Sequence, residues 1–389
     1  MGRSVMITAF PLYLILYAIT SFSEFQNGLI QYPITTTLHN IDKPLKNRLT
    51  KKSLCVIMLI VEITHNNHKG AITMSNSLAE MKEFVNLSSY GKRGERWDYH
   101  KAIADEVAKL YEVYGDCERD QRKAKRIRDC AGYLNFGWYS NPDTGKNEIH
   151  LIELHCCKTR SCVLCQWRRS LLYKVRFSMN IIDILEQYPT ARFLFLTLTV
   201  KNCDLSDIRS TLSQMSTAFN RMTKSDAFTD IIGYIRNMEI TRGENDSVHP
   251  HYHVLLMVNQ SYFKSGHYIS KDGWAKYWRK YMKLDYDPVC DIRLVRDKTK
   301  RLDVVKELFK YTIKESDIKT DNWYKVLMDS LHHVRAISSG GALKNIIKDD
   351  TNLQDQDLLH LTESGSEMQP LNRTVAYQWN RPIKRYRKV

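Results

Sequence analysis

His249-Pro-His-Tyr-His-Val-Leu-Leu-Met-Val258 is the stretch on which the reading of this chain turns. Its last five residues are uniformly apolar, the mark of a buried strand. Successive side chains on a strand point to opposite faces, so His251 and His253 share a face while Tyr252 points away. Two imidazoles held side by side suit a divalent metal ion. The preceding Gly233-Tyr-Ile-Arg-Asn-Met-Glu-Ile-Thr241 also reads as a strand, with residues 243–248 as the hairpin connection. Folding that hairpin carries Glu239 toward the histidines, an oxygen ligand suited to Mg2+ or Mn2+. The competing reading is a satisfied core histidine, because H-x-H is common. The H-E-x-x-H helix of a zinc protease is absent.

Downstream, Arg301-Leu-Asp-Val-Val-Lys-Glu-Leu-Phe-Lys-Tyr-Thr-Ile-Lys314 carries a helical period. Val304, Val305, Leu308, Phe309 and Thr312 form its apolar stripe. Glu307, Tyr311 and Lys314, spaced i, i+4, i+7, fall on a different face. Alone this is an ordinary solvated surface. Beside a metal-bound phosphate it is chemistry. A phenol of pKa ~10 is a poor nucleophile at neutral pH, and a divalent cation on the phosphate lowers the barrier to its attack. Lys314 would steady a phosphate oxygen or favour the phenolate, and Glu307 would activate water or a free 3′-hydroxyl. A covalent phosphotyrosine keeps the energy of the broken bond available for rejoining.

Upstream lies His155-Cys-Cys-Lys-Thr-Arg-Ser-Cys-Val-Leu-Cys165. Cys157, Cys162 and Cys165 have the spacing of a structural zinc knuckle, with Cys130, Cys156 and His155 all open as the fourth ligand. Buried free thiols are the alternative. Arg160, Arg168 and Arg169 flank the cluster and would turn a basic loop toward DNA phosphates. An odd total of nine cysteines, clustered in a chain of 389 residues, argues for a reducing compartment rather than a disulfide framework.

Composition limits the remaining options. A hydrophobic share of 43% with nine prolines excludes a disordered or collagenous chain, and a mean hydropathy of -0.43 excludes a polytopic membrane protein. A formal charge of +15 favours a polyanionic partner. Residues 1–73 are an extension with apolar runs at 7–22 and 54–61; the first is short for a membrane span and at most permits weak membrane association. Residues 74–129 read as helical and basic, with the run Arg122–Arg128. Residues 130–320 alternate strand-like and helix-like segments, an α+β pattern. Residues 321–389 form a C-terminal region ending in the basic Arg381-Pro-Ile-Lys-Arg-Tyr-Arg-Lys388. The segment 262–281, rich in Tyr, Trp and Lys, reads equally as a stacking platform for single-stranded DNA or as an amphipathic core helix.

In this order, Phe193-Leu-Phe-Leu-Thr-Leu-Thr-Val200, His249-Pro-His-Tyr-His253 and Glu307-Leu-Phe-Lys-Tyr-Thr-Ile-Lys314 resemble the rolling-circle plasmid replication initiators of the HUH endonuclease superfamily. The Gram-positive plasmid group, with one catalytic Tyr preceded by Glu, matches best. Arg160-Ser-Cys-Val-Leu-Cys-Gln-Trp-Arg-Arg169, Gly233-Tyr-Ile-Arg236 with Glu239, and Trp274 and Trp278 before Asp285-Tyr-Asp-Pro288 also look like that family. Val163 stands where the family pattern has Pro.

The resemblance implies a central antiparallel sheet with helices on one face, ferredoxin- or RRM-like, with the histidine strand central. It implies His251, His253 and Glu239 around Mg2+ or Mn2+. Tyr311 would nick a double-strand origin, leaving a 5′-phosphotyrosine and a 3′-hydroxyl primer, and Glu307 would activate the water that ends the cycle. Plasmid origin DNA, duplex and extruded, a host polymerase and a host helicase would be the partners, since no G-x4-G-K-[ST] motif is present, in the bacterial cytoplasm with no stable membrane partner. A relaxase or single-strand transposase shares the chemistry, but relaxases place Tyr before the histidines. A zinc-stabilised DNA-binding regulator would account for the cysteines and the charge, while leaving Glu239 and Tyr311 unused.

Overall fold

The computed structural model describes residues 83–140, 147–264, 266–295, 304–347 and 369–389; the extension 1–73, with both its apolar runs, lies outside the described residues. Among the described residues, no helix is long and apolar enough to cross a membrane.

Two helices open the described chain, α1 (Lys92–Tyr114) and α2 (Glu118–Asp129). They break at Gly115, where a Cβ would meet the Tyr111 carbonyl oxygen at 2.2 Å. Two strands follow, β1 (Tyr133–Ser140) and β2 (Asn147–Leu154), then the long helix α3 (Val163–Gln187). Next come β3 (Arg192–Thr199), α4 (Ile208–Met222), β4 (Ile231–Arg242) and β5 (Val248–Val258). The rest is α5 (Lys271–Met282), β6 (Cys290–Leu294), α6 (Trp323–Ser330), β7 (Ile337–Gly341), β8 (Gln369–Asn380) and β9 (Arg385–Lys388).

The strands form two antiparallel sheets in an α+β fold. The larger has the order β6-β3-β5-β4-β7, which puts the histidine strand at its centre. On β5, Tyr252, Val254, Leu256 and Val258 face a core built with Leu212, Met215 and Phe219 of α4 and Trp274 and Trp278 of α5. Leu255 and Met257 face the other way, onto Phe177 and Ile181 of α3 and Val305, Leu308 and Phe309. Helices therefore cover both faces, not one as the resemblance implied. An apolar run that is fully buried along β5 needs a cover on each side.

The smaller sheet has the order β2-β1-β8-β9. It joins chain from both sides of the boundary expected at residue 320, so 369–388 packs with 133–154. The basic C-terminal end is consequently not a free arm. Lys384 pairs with Glu106 at 3.0 Å, Arg385 with Asp98 at 3.3 Å, and Lys388 with Glu83. Tyr386, fully buried, donates its hydroxyl to the Ala131 carbonyl at 2.6 Å and takes Asp98 Oδ1 on its backbone N–H at 2.8 Å. These contacts hold α1 against the smaller sheet.

The basic run of α2 keeps Arg122, Lys125 and Arg126 on an exposed helix face, and several of its cations are paired within the protein. Arg122 pairs with Glu118 at 2.5 Å, Lys123 with Asp329 at 2.8 Å, Arg128 with Glu112, and Arg126 donates to the Cys157 carbonyl at 2.7 Å. Trp274 and Trp278 have no exposed surface, with indole N–H groups donated to Tyr262 Oη (3.3 Å) and the Thr199 carbonyl (2.8 Å). The segment 271–282 is thus a core helix, and the stacking-platform reading does not hold for its tryptophans.

The docking of β9 gives a test. Tyr386→Ala should lower the unfolding free energy by about 3–5 kcal/mol, the usual cost of emptying a large aromatic site. Tyr386→Phe removes only the bond to Ala131 and should cost about 1 kcal/mol. Urea denaturation measures both; a C-terminal end that carried no packing would leave both midpoints unchanged.

Candidate functional site

The β4–β5 hairpin pairs Glu239 directly with His251 and Asn237 with His253. Directly opposed residues on one face bring their side chains together. Glu239 Oε2 lies 2.9 Å from His253 Nε2 and 3.5 Å from His251 Nε2. One ligand atom from each of Glu239, His251 and His253 falls within 4.8 Å of the others, and all three side chains are buried. The imidazole of His253 is fixed by stacking on Phe195, with centroids 5.4 Å apart, and by Thr197 Oγ1 at 3.4 Å from Nδ1. His249, on the same face, is engaged by Asn202 at 2.9 Å instead.

A buried carboxylate without compensation would take up a proton. Burial does push Glu239 upward, but its contacts with His251 and His253 outweigh this and hold it well below the usual carboxylate range. Nδ1 of His251 is buried with no hydrogen-bond partner. An ionised carboxylate, two imidazoles and an unsatisfied ring nitrogen together form a donor set that fits a divalent cation such as Mg2+ or Mn2+.

The Tyr311 segment reaches this cluster by a different route from the one its period predicts. The helix covers only residues 304–308 of the described chain, and Tyr311 lies beyond its end, outside any helix or strand. Tertiary hydrogen bonds take the carbonyls that a continuing helix would use. Ser170 Oγ donates to Phe309 O, Asn237 Nδ2 to Lys310 O at 3.2 Å, and Ile240 N to Thr312 O at 2.7 Å. The branched Thr312 and Ile313 also favour an extended chain, and Ile313 bridges Ile240 in parallel. Glu307 still approaches His253 at 3.6 Å, and Lys314 reaches Glu239 at 3.7 Å. Lys310 pairs with Glu307. Tyr311 itself is half-buried, its ring edge-on to His100 of α1 at 6.2 Å. Burial, reinforced by Glu315 and Tyr99, pushes its phenol above the ordinary range against the opposing pull of Arg96.

The four thiols of Cys130, Cys157, Cys162 and Cys165 form a second cluster, with one Sγ each within 4.8 Å of the others and all buried. Cys165 Sγ lies 3.5 Å from Cys130 Sγ and 3.6 Å from Cys157 Sγ. Of the three candidates for fourth member, Cys130 is the one that joins; His155 is exposed. A buried set of four thiols with no oxygen ligand fits Zn2+.

Two of the three arginines expected at DNA face inward. Arg160 donates to the carbonyls of Leu331, at 2.9 Å, and Val334. Arg168 is buried between Trp97 and Trp167, its guanidinium carbon 5.1 and 5.4 Å from their ring centroids. Burial after a knuckle that packs into the core explains both. Arg169 is half-buried. Sequence reasoning missed Asn237, which shares the face of Glu239 two residues away and was legible from strand period alone. It also missed Thr197, His100 and Glu315, whose parts depend on long-range packing that no local pattern announces.

Comparison with known proteins bears on the same residues. The model of a replication protein family matches residues 148–387, which contain the hairpin, Glu307 and Tyr311. A Protein rep of Streptococcus pneumoniae is 32% identical over 311 residues, covering 77% of this chain and 94% of that protein. A Protein rep of Bacillus amyloliquefaciens is 35% identical over 317 residues, covering 74% and 89%. A Replication protein of Staphylococcus aureus is 36% identical over 224 residues, covering 53% and 94%. No solved structure matches the chain. With more than half its length matched, and near-complete coverage of relatives above 30% identity, the chain belongs to the replication protein family.

Proposed function

We propose that this protein initiates rolling-circle replication of a plasmid by nicking one strand of the origin through Tyr311. The observation that carries the reading is the convergence of Glu307 and Lys314, from either side of Tyr311, on the Glu239–His251–His253 cluster. Tyr311 Oη forms the bond to phosphorus while the bond from phosphorus to the 3′-oxygen breaks. The phenolic proton passes to the departing oxygen or to solvent, leaving a 3′-hydroxyl and a 5′-phosphotyrosine. A divalent cation held by His251, His253 and Glu239 would supply charge neutralisation at the scissile phosphate. Lys314, half-exposed, can reach a phosphate oxygen. Glu307 beside His253 can take the proton of the water that hydrolyses the last phosphoester. The four-thiol cluster would hold Zn2+ as a brace between α2, β2 and α3. Arg169 is the member of the basic trio still able to meet DNA. Origin DNA would be the partner, with host polymerase extending the primer, a host helicase opening the duplex, and the bacterial cytoplasm as the setting.

The test is incubation with Mn2+ or Mg2+ and labelled single-stranded oligonucleotides tiling the DNA around the protein's own gene. A denaturation-resistant adduct mapping to Tyr311 supports initiation. Sequence-specific binding with no cut on any substrate would instead favour a zinc-braced regulator. Covalent chemistry without origin specificity would favour a transposase or relaxase.

Tyr311→Phe should bind the cleaved oligonucleotide as well as wild type and form no adduct; a wild-type yield of adduct would remove Tyr311 from the reaction. Glu307→Gln should leave the first nick within about threefold of wild type and slow hydrolytic release by about 10²-fold, the scale of a lost general base. Normal release in a chase experiment would return Glu307 to the surface. Metal analysis of the purified protein should find one zinc per chain. Cys130→Ser should lose that zinc and Cys156→Ser should keep it; the reverse pattern would reassign the fourth ligand.

A further inference from the structure

Helix α1 precedes the residues matched by the family model, yet one of its side chains abuts the Tyr311 ring. His100 is 6% exposed, one of three buried polar side chains on this helix with Asp98 and Lys101. Three contacts fix it. Its ring stacks on Trp167 of α3 with centroids 4.4 Å apart and planes at 29°. Its Nδ1 lies 2.9 Å from Glu315 Oε1. Its ring and that of Tyr311 meet in a T-shaped arrangement, centroids 6.2 Å apart and planes at 85°.

The backbone on both sides of Tyr311 is held by Asn237, Ile240 and Ser170. None of these bonds restrains the tyrosine side chain. Outside a helix more than one χ1 rotamer is open to it, so the direction of the phenol needs a wall. His100 is the aromatic wall in contact with that ring, and its stack on Trp167 keeps the wall itself from turning.

We propose that His100 is a positioning residue for the nucleophile: its ring against that of Tyr311 limits the rotamers open to the phenol. This rests on the nicking role given to Tyr311 above. His100 touches no substrate and acts through the tyrosine, so its removal should appear in the chemical step and not in DNA affinity. A reacting group displaced by about 1 Å loses on the order of 10²-fold in rate.

The experiment uses the full chain and the tiled single-stranded oligonucleotide that wild type cleaves. His100→Ala should form adduct at least tenfold more slowly at saturating oligonucleotide. The double variant H100A/Y311F should bind the same oligonucleotide within twofold of Y311F. His100→Phe keeps an aromatic ring against Trp167 and Tyr311 and should recover to within threefold of wild type. Wild-type adduct rates in H100A would overturn the proposal. So would equal failure of the Ala and Phe variants, or a loss in H100A matched by a loss of affinity, since either makes His100 a purely structural residue.

A second readout is independent of cleavage. With 3-fluorotyrosine at position 311, the fluorine resonance should be single in wild type and H100F, and shifted and averaged in H100A. An unchanged resonance in H100A sinks the proposal whatever the kinetics. If wild-type protein forms no adduct while the fluorine signal responds as expected, the nicking reading fails and the restraint of Tyr311 by His100 stands apart from it.

Discussion

The register of the β4–β5 hairpin is the constraint on which the other features depend. Side chains alternate faces with a period of two, so a slip of one residue would send His251 and His253 into the core under α4 and α5 and bring Tyr252 to the open face. The pairing of Glu239 with His251 is held by the apolar set that the same register buries. Tyr252, Val254, Leu256 and Val258 can all be covered on one face only if the histidines occupy the other. Hydrophobic burial along the strand therefore enforces the placement of a buried charge at its end. That charge is tolerable because two imidazoles lie against it.

Local pattern made the centre of this arrangement readable. Period-two alternation identified the histidine face, and a short polar connection identified the hairpin that brings Glu239 across. The α+β class followed from the alternation of strand-like and helix-like segments, and the central strand from the family resemblance. The Tyr311 segment was misread in form, because its apolar spacing is helical through Thr312 while Ser170, Asn237 and Ile240 claim its carbonyls. Those partners are distant in sequence, and propensity yields to them. The basic residues were misread for a related reason. Charge is visible in a sequence, but its neutralisation is not: Arg160 meets two carbonyls, Arg168 two indoles, and the C-terminal cations meet acids on and around α1.

The two sheets are tied together by α3. Its first turn carries Cys162 and Cys165, joined by Cys130 at the end of α2 and Cys157 after β2. Farther along, Phe177 and Ile181 pack under Phe195 and Leu255 of the larger sheet. Between these anchors, Trp167 supports His100, and Ser170 holds the backbone before Tyr311. One helix thus runs from the thiol cluster to the underside of the histidine strand, and the segment leading to Tyr311 is fastened partway along it.

The clasp between β9 and α1 has a consequence for synthesis. The hairpin with Glu239, His251 and His253 comes from the middle of the chain and can pair as soon as β5 is made. Helix α1, whose His100 lies against Tyr311, emerges earlier, but the strand whose Lys384, Arg385 and Tyr386 hold it is translated after all of these. Contacts between such distant parts of a chain form late in folding. A chain cut before β9 would keep the stack of His100 on Trp167 but lose the ties to Asp98 and Glu106, and α1 would sit more loosely beside Tyr311.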